Sequence, residues 1–562
     1  MTESYASGVS ERPLSGLTLG AALRQRADAQ PDDLALVSRH QGIRLTWRQL
    51  EQRARAVAAG LMAAGIQPGD RVGIWSATAS QWTELQFGSA MTGAVLVNIN
   101  PSYRASELQY ALTKVGVRML VTASGFRDAD YLGMISEVRA ACPDLELVVG
   151  LDPLAGAKAD FTWDELVRPG WAPDGARPGS PQEWAAELQA RMDGIDPDDP
   201  VNIQFTSGTT GQPKGATLSH HNIVNNADVI AGVLGYGPAD KVCIPVPLYH
   251  CFGMGIGNLG CLLSGSTIVY PAESFDPGAT LEAISQERCT SIYGVPTMFI
   301  AMLEQPGFGS FDLTSLRTGV MAGAPCPIEL MRRVVAEMHA EDMTICYGMT
   351  ETSPVSTMTR RDDDLIRRTS SVGRPLPHTE VRLVDPDTDL MVPRGTPGEL
   401  CTRGYLVMSG YWEDADATRR AVRRGWMHTG DLAVMDEDGY LNIVGRLTDM
   451  VIRGGENIYP REVEEVLFEH PGVASVQVVG VPDARMGEEL AAFVVVRADA
   501  TLEEEDIREF CRSRLAHFKV PRHVCFTTEF PMTVTGKVQK FRLRQEAIER
   551  LGLQAADNIA TA

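Results

Sequence analysis

The chain has 562 residues, with 44% hydrophobic and 22% charged residues and a formal net charge of −21 at pH 7. This length exceeds what one hydrophobic core supports, so we expect at least two domains. The negative charge argues against nucleic acid and acidic membrane surfaces as partners. No uncharged apolar run approaches the roughly 18 residues that span a bilayer, and the N-terminus carries no apolar secretory segment.

Ten cysteines lie between Cys142 and Cys525 without the paired spacing of a zinc site or a disulfide framework. In a chain of this length, such usage favours free thiols in a reducing compartment. We therefore predict a cytoplasmic protein with no integral membrane segment. The sequence leaves both a monomer and an oligomer open.

The first part of the chain alternates predicted helices and strands. The segment "TWRQLEQRARAVAAGLMAAGI" reads as a helix, with a capping box of Thr46 and Gln49 and an end at Gly65. Strands "DRVGIW", "VLVNIN" and "VRMLVTA" then alternate with helices "SQWTELQFGSAMTGA" and "RASELQYALTKVG". This order predicts right-handed crossovers and a helix-covered parallel sheet. A Pro- and Gly-rich linker occupies residues 170–181, and the alternation resumes after Val201 and continues to about residue 345.

The pattern changes past Gly445. Two predicted helices, "PREVEEVLFEH" and "LEEEDIREFCRSRLA", are interspersed with strands "VASVQVVGV", "LAAFVVVRA" and "HVCFTTEF". We predict an α/β fold with a large N-terminal domain of stacked, helix-covered sheets over residues 1–447. A small, mobile α+β C-terminal domain is predicted over residues 448–562.

The stretch "FTSGTTGQPKG" (Phe205–Gly215) has the composition of a phosphate-binding loop. Glycines let backbone amides approach an anion, hydroxyls add donors, and a lysine supplies positive charge. The kinase- and GTPase-type pattern G-x-x-x-x-G-K-[ST], started at Gly208, would put Pro213 at its second glycine and Gly215 at its hydroxyl position. The loop therefore belongs to another phosphate chemistry.

Four further stretches follow in order: "YGMTETSP" (347–354), "GWMHTGDLA" (425–433), "GRLTDMVIRGGENIYP" (445–460) and "TVTGKVQK" (533–540). Together with the loop, they resemble the adenylate-forming superfamily, which contains acyl-CoA synthetases, firefly luciferase and the adenylation domains of peptide synthetases. The resemblance covers roughly residues 45 to 545. It implies that a carboxylate attacks the α-phosphate of ATP, giving an acyl-adenylate and pyrophosphate, and that a thiol then displaces AMP.

The resemblance also implies roles for individual residues. Thr350 would contact the α-phosphate and Glu351 would bind Mg²⁺, while Lys537 would reach both the α-phosphate and the attacking carboxylate. Asp431 would accept hydrogen bonds from the ribose hydroxyls and Arg446 would meet the ribose or a phosphate. The departing β- and γ-phosphates would be held by Thr206, Ser207, Gly208, Thr209, Thr210, Gly211 and Lys214. The adenine would stack near Gly323, Ala324, Pro325, Tyr347 and Gly348, although a plain turn at 323–325 is the alternative.

The hinge of the small domain would lie at Thr448, where many relatives carry Asp or Lys. Gly454 and Gly455 would line the channel for the CoA pantetheine; an exposed turn before a helix is the alternative. His250 resembles a gating position beside the substrate carboxylate, with a packed core histidine as the alternative. We interpret Arg419, Arg420, Arg423 and Arg424 as the polar face of a helix that follows Asp416.

The acyl pocket would be lined by residues 247–257, 294–299, 320–325 and 349–355, which apart from Glu351 contain no charged side chain. A second charge on the substrate would be costly there, so we expect a plain apolar acid. Residues 275–303 look most like the medium-chain fatty acyl-CoA synthetase branch, with branched, terpenoid and aryl acids left open. We expect free CoA as acceptor, because no carrier domain follows Lys537.

Three other functions are weighed against this interpretation. A carrier protein could accept the acyl group in trans. An inactive nucleotide-binding sensor would be expected to lack Lys537 or Glu351, and both are present. A luciferase-like monooxygenase would share the adenylation step and then use oxygen instead of CoA.

Overall fold

The computed structural model describes residues 3–156, 158–171, 180–206, 213–324, 326–447, 449–454, 456–483, 485–498, 500–533 and 538–554. Its α-helices are α1 (Leu19–Ala29), α2 (Trp47–Ala63), α3 (Ser80–Thr92), α4 (Ala105–Val115), α5 (Tyr131–Val138), α6 (Pro153–Gly156), α7 (Trp163–Leu166), α8 (Pro181–Gly194), α9 (His220–Leu234), α10 (Gly260–Ser264), α11 (Pro277–Glu287), α12 (Pro296–Leu303), α13 (Ile328–Glu337), α14 (Leu365–Ser370), α15 (Ala415–Ala421), α16 (Pro460–Phe468), α17 (Glu504–Arg512) and α18 (Lys540–Leu551). A π-helix, Phe252–Leu259, precedes α10. None of the described helices combines the length and apolar character that crossing a bilayer requires.

The strands are β1 (Tyr5–Ser7), β2 (Leu34–Ser38), β3 (Ile43–Thr46), β4 (Arg71–Trp75), β5 (Val95–Asn98), β6 (Val117–Thr122), β7 (Gly125–Phe126), β8 (Ala129–Asp130), β9 (Leu147–Gly150), β10 (Phe161–Thr162), β11 (Pro200–Thr206), β12 (Lys214–Ser219), β13 (Lys241–Cys243), β14 (Thr267–Tyr270), β15 (Ser291–Gly294), β16 (Thr318–Met321), β17 (Asp342–Gly348), β18 (Val355–Met358), β19 (Arg374–Pro375), β20 (Thr379–Val384), β21 (Gly398–Gly404), β22 (Gly410–Tyr411), β23 (Val422–Arg423), β24 (Trp426–Met435), β25 (Leu441–Arg446), β26 (Val451–Arg453), β27 (Glu456–Ile458), β28 (Val473–Asp483), β29 (Gly487–Val496) and β30 (His523–Phe526). Most of them form four sheets, and β7 and β8 form a separate pair.

Two large sheets form the framework of the N-terminal part. The first has the order β10-β9-β6-β4-β5-β11-β12-β22 and the second the order β19-β18-β17-β16-β15-β13-β14-β2-β3. Their central strands are parallel, as the helix–strand alternation predicts. The first sheet ends in antiparallel strands, because β11 returns as β12 and β12 pairs with β22.

Three apolar clusters show how the two sheets are layered. One cluster joins the inner faces of both sheets to helices α1, α2, α3 and α9. A second covers the outer face of the first sheet with α4 and α5, and a third covers the outer face of the second sheet with α11, α12 and α13. The predicted α/β class with stacked, helix-covered sheets is confirmed. The capping box of Thr46 and Gln49 is also present at the start of α2.

A third sheet was not predicted. It has the order β1-β20-β21-β24-β23, with β25 paired to β24, and its pairings are antiparallel. Apart from β1, its strands lie after the predicted alternation ends, in a region where short strands and turns leave no clear periodicity. This sheet carries Asp431 and Arg446, so it is part of the candidate site.

The C-terminal sheet has the order β27-β26-β29-β28, with β30 parallel to β29. Helices α16 and α17 pack on it through the apolar cluster that contains Val463, Leu467 and Ile507. The predicted small α+β domain is confirmed, whereas its mobility stays a prediction. Arg461 on α16 donates to the carbonyl of Ile443 on β25 at 2.9 Å, which links this domain to the third sheet.

The N-terminal helix α1 is attached to α9 through a buried histidine. Nδ1 of His220 accepts the amide N–H of Leu19 at 3.0 Å, and His220 is 1% exposed. Burial lowers the pKa of His220 to about 4 from its ordinary value of 6.5. A proton on Nδ1 would also remove the acceptor that Leu19 uses.

We expect His220 to make the protein less stable in mild acid. The unfolded chain binds a proton below about pH 6.5 while the folded chain stays neutral to about pH 4, so stability falls as pH decreases through that window. A His220→Asn variant keeps an acceptor for Leu19 and cannot titrate. When the pH is lowered from about 7.5 to about 5, the free energy of unfolding measured in urea should fall by about 2 kcal/mol more for the wild-type protein than for the variant. If the two proteins differ in free energy of unfolding by the same amount at both pH values, the proposed role of His220 is contradicted.

Candidate active site

The glycine-rich loop connects β11 to β12 as a hairpin, and its two ends are held together. Thr206 pairs with Lys214 in the antiparallel register. The loop between them, residues 207–212, lies outside the described residues. Tyr110 on α4 donates to the carbonyl of Pro213 at 2.8 Å, which fixes the returning arm of the hairpin.

Glu351 lies at the foot of this hairpin. It is 4% exposed, and its Oε1 accepts hydrogen bonds from Thr206 Oγ1 at 3.1 Å and from the Tyr411 hydroxyl at 2.9 Å. Lys214 Nζ stands 5.1 Å from the centre of the Tyr411 ring. Burial, and then the nearby Glu351, raises the pKa of Tyr411, so this hydroxyl stays a donor at neutral pH. The fold thus places Thr206 in contact with a buried carboxylate, and Lys214 beside the tyrosine that shares this carboxylate.

Thr350 connects Glu351 to the segment that carries His250. Thr350 is 8% exposed, and its Oγ1 lies 3.7 Å from Sγ of Cys251. His250 precedes the π-helix, and its Nδ1 accepts the amide N–H of Phe252 at 3.2 Å. His250 is half-buried, and its gating role stays a prediction beside the alternative of a packed core histidine. A π-helical turn of this kind is frequent at functional sites.

Asp431 is held by two partners. Its Oδ2 accepts from the Tyr347 hydroxyl at 2.6 Å and its Oδ1 from Arg446 Nε at 3.0 Å. Burial, together with the adjacent Asp431, raises the pKa of Tyr347 well above its ordinary value. The charge of Asp431 raises the pKa of Arg446 as well. The three residues, predicted from three different motifs, form one corner of the site.

Glycine is required at Gly348, which follows Tyr347 at the end of β17. A Cβ atom there would lie 1.8 Å from the carbonyl oxygen of Pro354, so no side chain fits. Gly323, in the turn after β16, has φ +86 and is exposed. Ala324 follows it and is half-buried. Residues 323–324 therefore form a turn, and adenine stacking at this turn stays a prediction.

The four segments predicted to line an acyl pocket contribute side chains to the apolar core between the two large sheets. Phe252 and Met254 of the π-helix, Met298 of α12 and Ala322, just after β16, belong to this core, and Met349 packs on it. The Phe252 ring stacks on Tyr293, with ring centres 5.5 Å apart. Glu351 is the one charged residue in these segments, and its carboxylate accepts hydroxyl donors from Thr206 and Tyr411.

Gly454 is separate from these groups. It lies in the β26–β27 hairpin of the C-terminal sheet, with φ +58, and its amide donates to the carbonyl of Met486 at 2.8 Å. Nine predicted site residues lie outside the described residues: Ser207, Gly208, Thr209, Thr210, Gly211, Pro325, Thr448, Gly455 and Lys537.

Tyr411 was not predicted as a site residue, and part of the arginine cluster lies outside the helix predicted for it. Tyr411 reaches Glu351 because the two-residue strand β22 pairs with β12, a contact that no local pattern indicates. Helix α15 is capped by Asp414 and ends at Ala421. The prediction of one helix through the arginine cluster is therefore wrong for Arg423, which lies in β23, and for Arg424, which has φ +52.

Comparisons with known proteins identify the family. The family model described as "AMP-binding enzyme" matches residues 23–412, and the model "AMP-binding enzyme C-terminal domain" matches residues 462–537. The chain belongs to the AMP-binding enzyme family. The predicted resemblance to the adenylate-forming superfamily is thereby confirmed.

Similar members of this AMP-binding family cover nearly the whole chain. The "Putative acyl-CoA synthetase YngI" of Bacillus subtilis (strain 168) is 45% identical over 96% of this chain and 98% of its own. The mitochondrial "Medium-chain acyl-CoA ligase ACSF2" of Bos taurus is 41% identical over 98% of this chain and 91% of its own. The crystal structure of the anthranilate CoA ligase AuaEII with anthranoyl-AMP matches with a TM-score of 0.84 at 27% identity, covering 96% of this chain and 99% of that one.

Proposed function

We propose that this AMP-binding enzyme is an ATP-dependent acyl-CoA synthetase acting on an apolar, medium-chain carboxylic acid. The enzyme would join the acid to the α-phosphate of ATP, release pyrophosphate, and then pass the acyl group from AMP to the thiol of CoA. The observation that carries the proposal is the convergence of Thr206, Glu351 and Tyr411 at the glycine-rich hairpin, beside an apolar cluster. Acyl-CoA synthetase and ligase are also the activities named for the relatives at 45% and 41% identity.

The hairpin would hold the leaving pyrophosphate. Lys214 supplies positive charge and Thr206 a hydroxyl at its two ends, and the intervening glycines and hydroxyls would add amide and hydroxyl donors. Thr350, one residue before Glu351, would donate to the α-phosphate. Phosphoryl transfer depends mainly on positioning and on neutralising charge, which these groups would provide.

Glu351 fits a magnesium ligand. Its carboxylate is buried beside the phosphate hairpin, and its two hydroxyl donors leave it oriented toward that loop. Mg²⁺ in nucleotide sites is commonly held by one or two carboxylates together with substrate phosphates. The ion would neutralise charge on the phosphates of ATP when bound.

The Asp431 corner would bind the nucleoside. The Asp431 carboxylate would accept the ribose hydroxyls, and Arg446, whose side chain is 63% exposed, would be free to turn toward ribose or phosphate. Tyr347 and Gly348 would flank the adenine, with Gly323, Ala324 and Pro325 on its other side.

The acid would enter the apolar cluster around Phe252 and Met298. An apolar chain gains about 25 cal/mol for each Å² that it buries there, whereas an unpaired second charge would be costly. The medium-chain preference rests on the name of the ACSF2 relatives. His250 and Cys251 would stand next to the carboxylate end, since Cys251 contacts Thr350.

The C-terminal domain would complete both steps. We place the domain boundary after residue 447 and the hinge at Thr448. Lys537 would neutralise charge during adenylation, and Gly454 and Gly455 would line the path of the CoA pantetheine in the second step. All ten cysteines are buried and none forms a disulfide with another described residue, which supports a reducing, cytoplasmic location.

We expect AMP release to peak with acids of intermediate length. The test is AMP and acyl-CoA formation from ATP and CoA with straight-chain acids of about two to about eighteen carbons, beside benzoate and a terpenoid acid. If AMP and acyl-CoA form only with an aryl or terpenoid acid, the proposed substrate class is wrong and the two-step reaction still holds. Adenylate formation without CoA consumption would instead favour a carrier protein, and light emission would favour the luciferase-like alternative.

A further inference from the structure

The strand that carries Asp431 is out of register with its neighbour. Glu399 pairs with Leu432 and Cys401 pairs with His428, so β21 advances by fewer residues than β24 between these pairs. Thr429, Gly430 and Asp431 therefore form a bulge, and Gly430 has φ +73. A bulge of this kind re-aims a side chain and leaves backbone groups without their ladder partners.

A buried carboxylate replaces the missing ladder partner. Oε1 of Glu399 accepts the amide N–H of Gly430 at 3.2 Å, and Glu399 is 4% exposed. The rest of the bulge is tied down by Thr429, whose Oγ1 donates to the carbonyl of Leu400 at 2.7 Å and accepts the amide N–H of Asp431 at 3.1 Å. The direction of the Asp431 backbone thus depends on these side-chain contacts.

The other oxygen of Glu399 is held in place as well. Oε2 lies 2.8 Å from Nδ1 of His428 and 3.4 Å from Nη2 of Arg423. Sγ of Cys401 lies 3.3 Å from the same nitrogen of His428. Glu399, Cys401 and His428 include the atom types of a metal site. Because the Arg423 guanidinium already supplies the positive charge at this carboxylate, we interpret the cluster as a hydrogen-bonded support.

The backbone of Gly430 also contacts Leu447. The carbonyl of Gly430 accepts the amide N–H of Leu447 at 2.9 Å, one residue after Arg446. Asp431 and Arg446 are therefore both connected to the Glu399 support. Asp431 follows Gly430 directly in the chain, and Arg446 precedes Leu447.

We infer that Glu399 and His428 are positioning residues that orient Asp431 for the ribose of ATP. The inference rests on the proposed role of Asp431 in binding the ribose hydroxyls. Neither residue touches the nucleotide in this account. They act by fixing the bulge from which the Asp431 carboxylate projects.

The test compares ATP with 2′,3′-dideoxy-ATP, which lacks both ribose hydroxyls. Since hydrogen bonds to a charged group are stronger than those between neutral groups, the wild-type enzyme should prefer ATP at least about tenfold in kcat/KM. In Glu399→Gln one carboxylate oxygen becomes an N–H₂ group, which donates and cannot accept. Whichever way the amide is turned, this group faces either the Gly430 N–H or the partners of Oε2, so one hydrogen bond of Glu399 is lost. We expect this variant to lower the preference at least about fivefold, mainly through KM for ATP, with the dideoxy analogue changed less than about twofold.

Companion variants separate the causes. Asp431→Ala should abolish the preference, and if it does not, the proposed ribose role of Asp431 fails. If Asp431→Ala abolishes the preference while Glu399→Gln retains it, or lowers kcat/KM equally for both nucleotides, the positioning role is overturned. Asp240→Asn, which removes the charge that Asp240 pairs with Arg317 at 2.9 Å just before β13 and β16, should leave the preference unchanged.

Variants of His428 test the proposal independently, and they can be used if Glu399→Gln does not fold. Nδ1 of His428 contacts both Oε2 of Glu399 and Nη2 of Arg423. His428→Asn keeps an amide near the Nδ1 position, with one donor group and one acceptor, and should retain most of the preference for ATP. His428→Ala removes both contacts and should lower the preference for ATP to the same extent as Glu399→Gln. Equal preferences in the asparagine and alanine variants would overturn the role of His428.

Discussion

Replacing Glu351 with glutamine is expected to lower acid-dependent exchange between ATP and pyrophosphate at least about 100-fold. Glutamine has nearly the same shape and keeps an oxygen that can accept from Thr206 and Tyr411. It removes only the negative charge. The loss should therefore arise from magnesium and phosphate binding, and not from a disturbed fold.

The dependence on magnesium makes this prediction specific. The apparent KM for Mg²⁺ should rise in Glu351→Gln, so added Mg²⁺ should recover part of the rate. Glu84→Gln is the matched control, because Glu84 is also a buried carboxylate, 3.0 Å from Arg53 on α2. Exchange within about threefold of wild type at every Mg²⁺ concentration would contradict the assignment of Glu351.

Replacing Lys537 with glutamine is expected to stop the first half-reaction and spare the second. The positive charge would be lost where the carboxylate and the α-phosphate, both anionic, are brought together, so adenylation should fall at least about 100-fold. Acyl-CoA formation from supplied acyl-adenylate and CoA does not need that charge and should stay within about twofold of wild type. Acetylation of Lys537 would remove the same charge and should have the same effect.

The described residues on either side of Lys537 make backbone contacts with each other. Met532 and Val538, which flank Lys537 in the sequence, pair as an antiparallel bridge, and Gln539 N–H donates to the carbonyl of Pro531 at 2.8 Å. Lys537→Gln should keep these backbone contacts, so we expect the small domain to fold. Lys519→Gln, which removes an ion pair with Glu462 at 2.6 Å in the same domain, is the control and should adenylate normally. Full acid-dependent exchange in Lys537→Gln would rule out the proposed role.

The parts of the fold that follow from local patterns could be predicted. Helix α2 begins at the capping box that Thr46 and Gln49 indicate, and the buried strands β4, β5 and β6 follow the apolar runs of the sequence. These features depend on near neighbours in the chain. The ordered motifs also led to Asp431, Arg446 and Tyr347, which the fold brings into contact.

The parts that depend on register between distant strands could not be predicted. Tyr411 reaches Glu351 only because β22 adds to the edge of the first sheet, and Glu399 reaches Gly430 only because β21 and β24 are out of step. Register is fixed by packing across the whole sheet and leaves little trace in a short stretch of sequence. The same limitation explains why the third, antiparallel sheet was missed.

The most direct test of the account follows oxygen from the acid into AMP. With octanoate carrying ¹⁸O in both carboxylate oxygens, attack on the α-phosphate makes one of them the bridge of the acyl-adenylate. When the thiol of CoA attacks the carbonyl carbon, that oxygen leaves on AMP. Mass spectrometry should then find one ¹⁸O in AMP and none in pyrophosphate. The appearance of ADP with ¹⁸O in inorganic phosphate, or AMP without label, would contradict the adenylation mechanism.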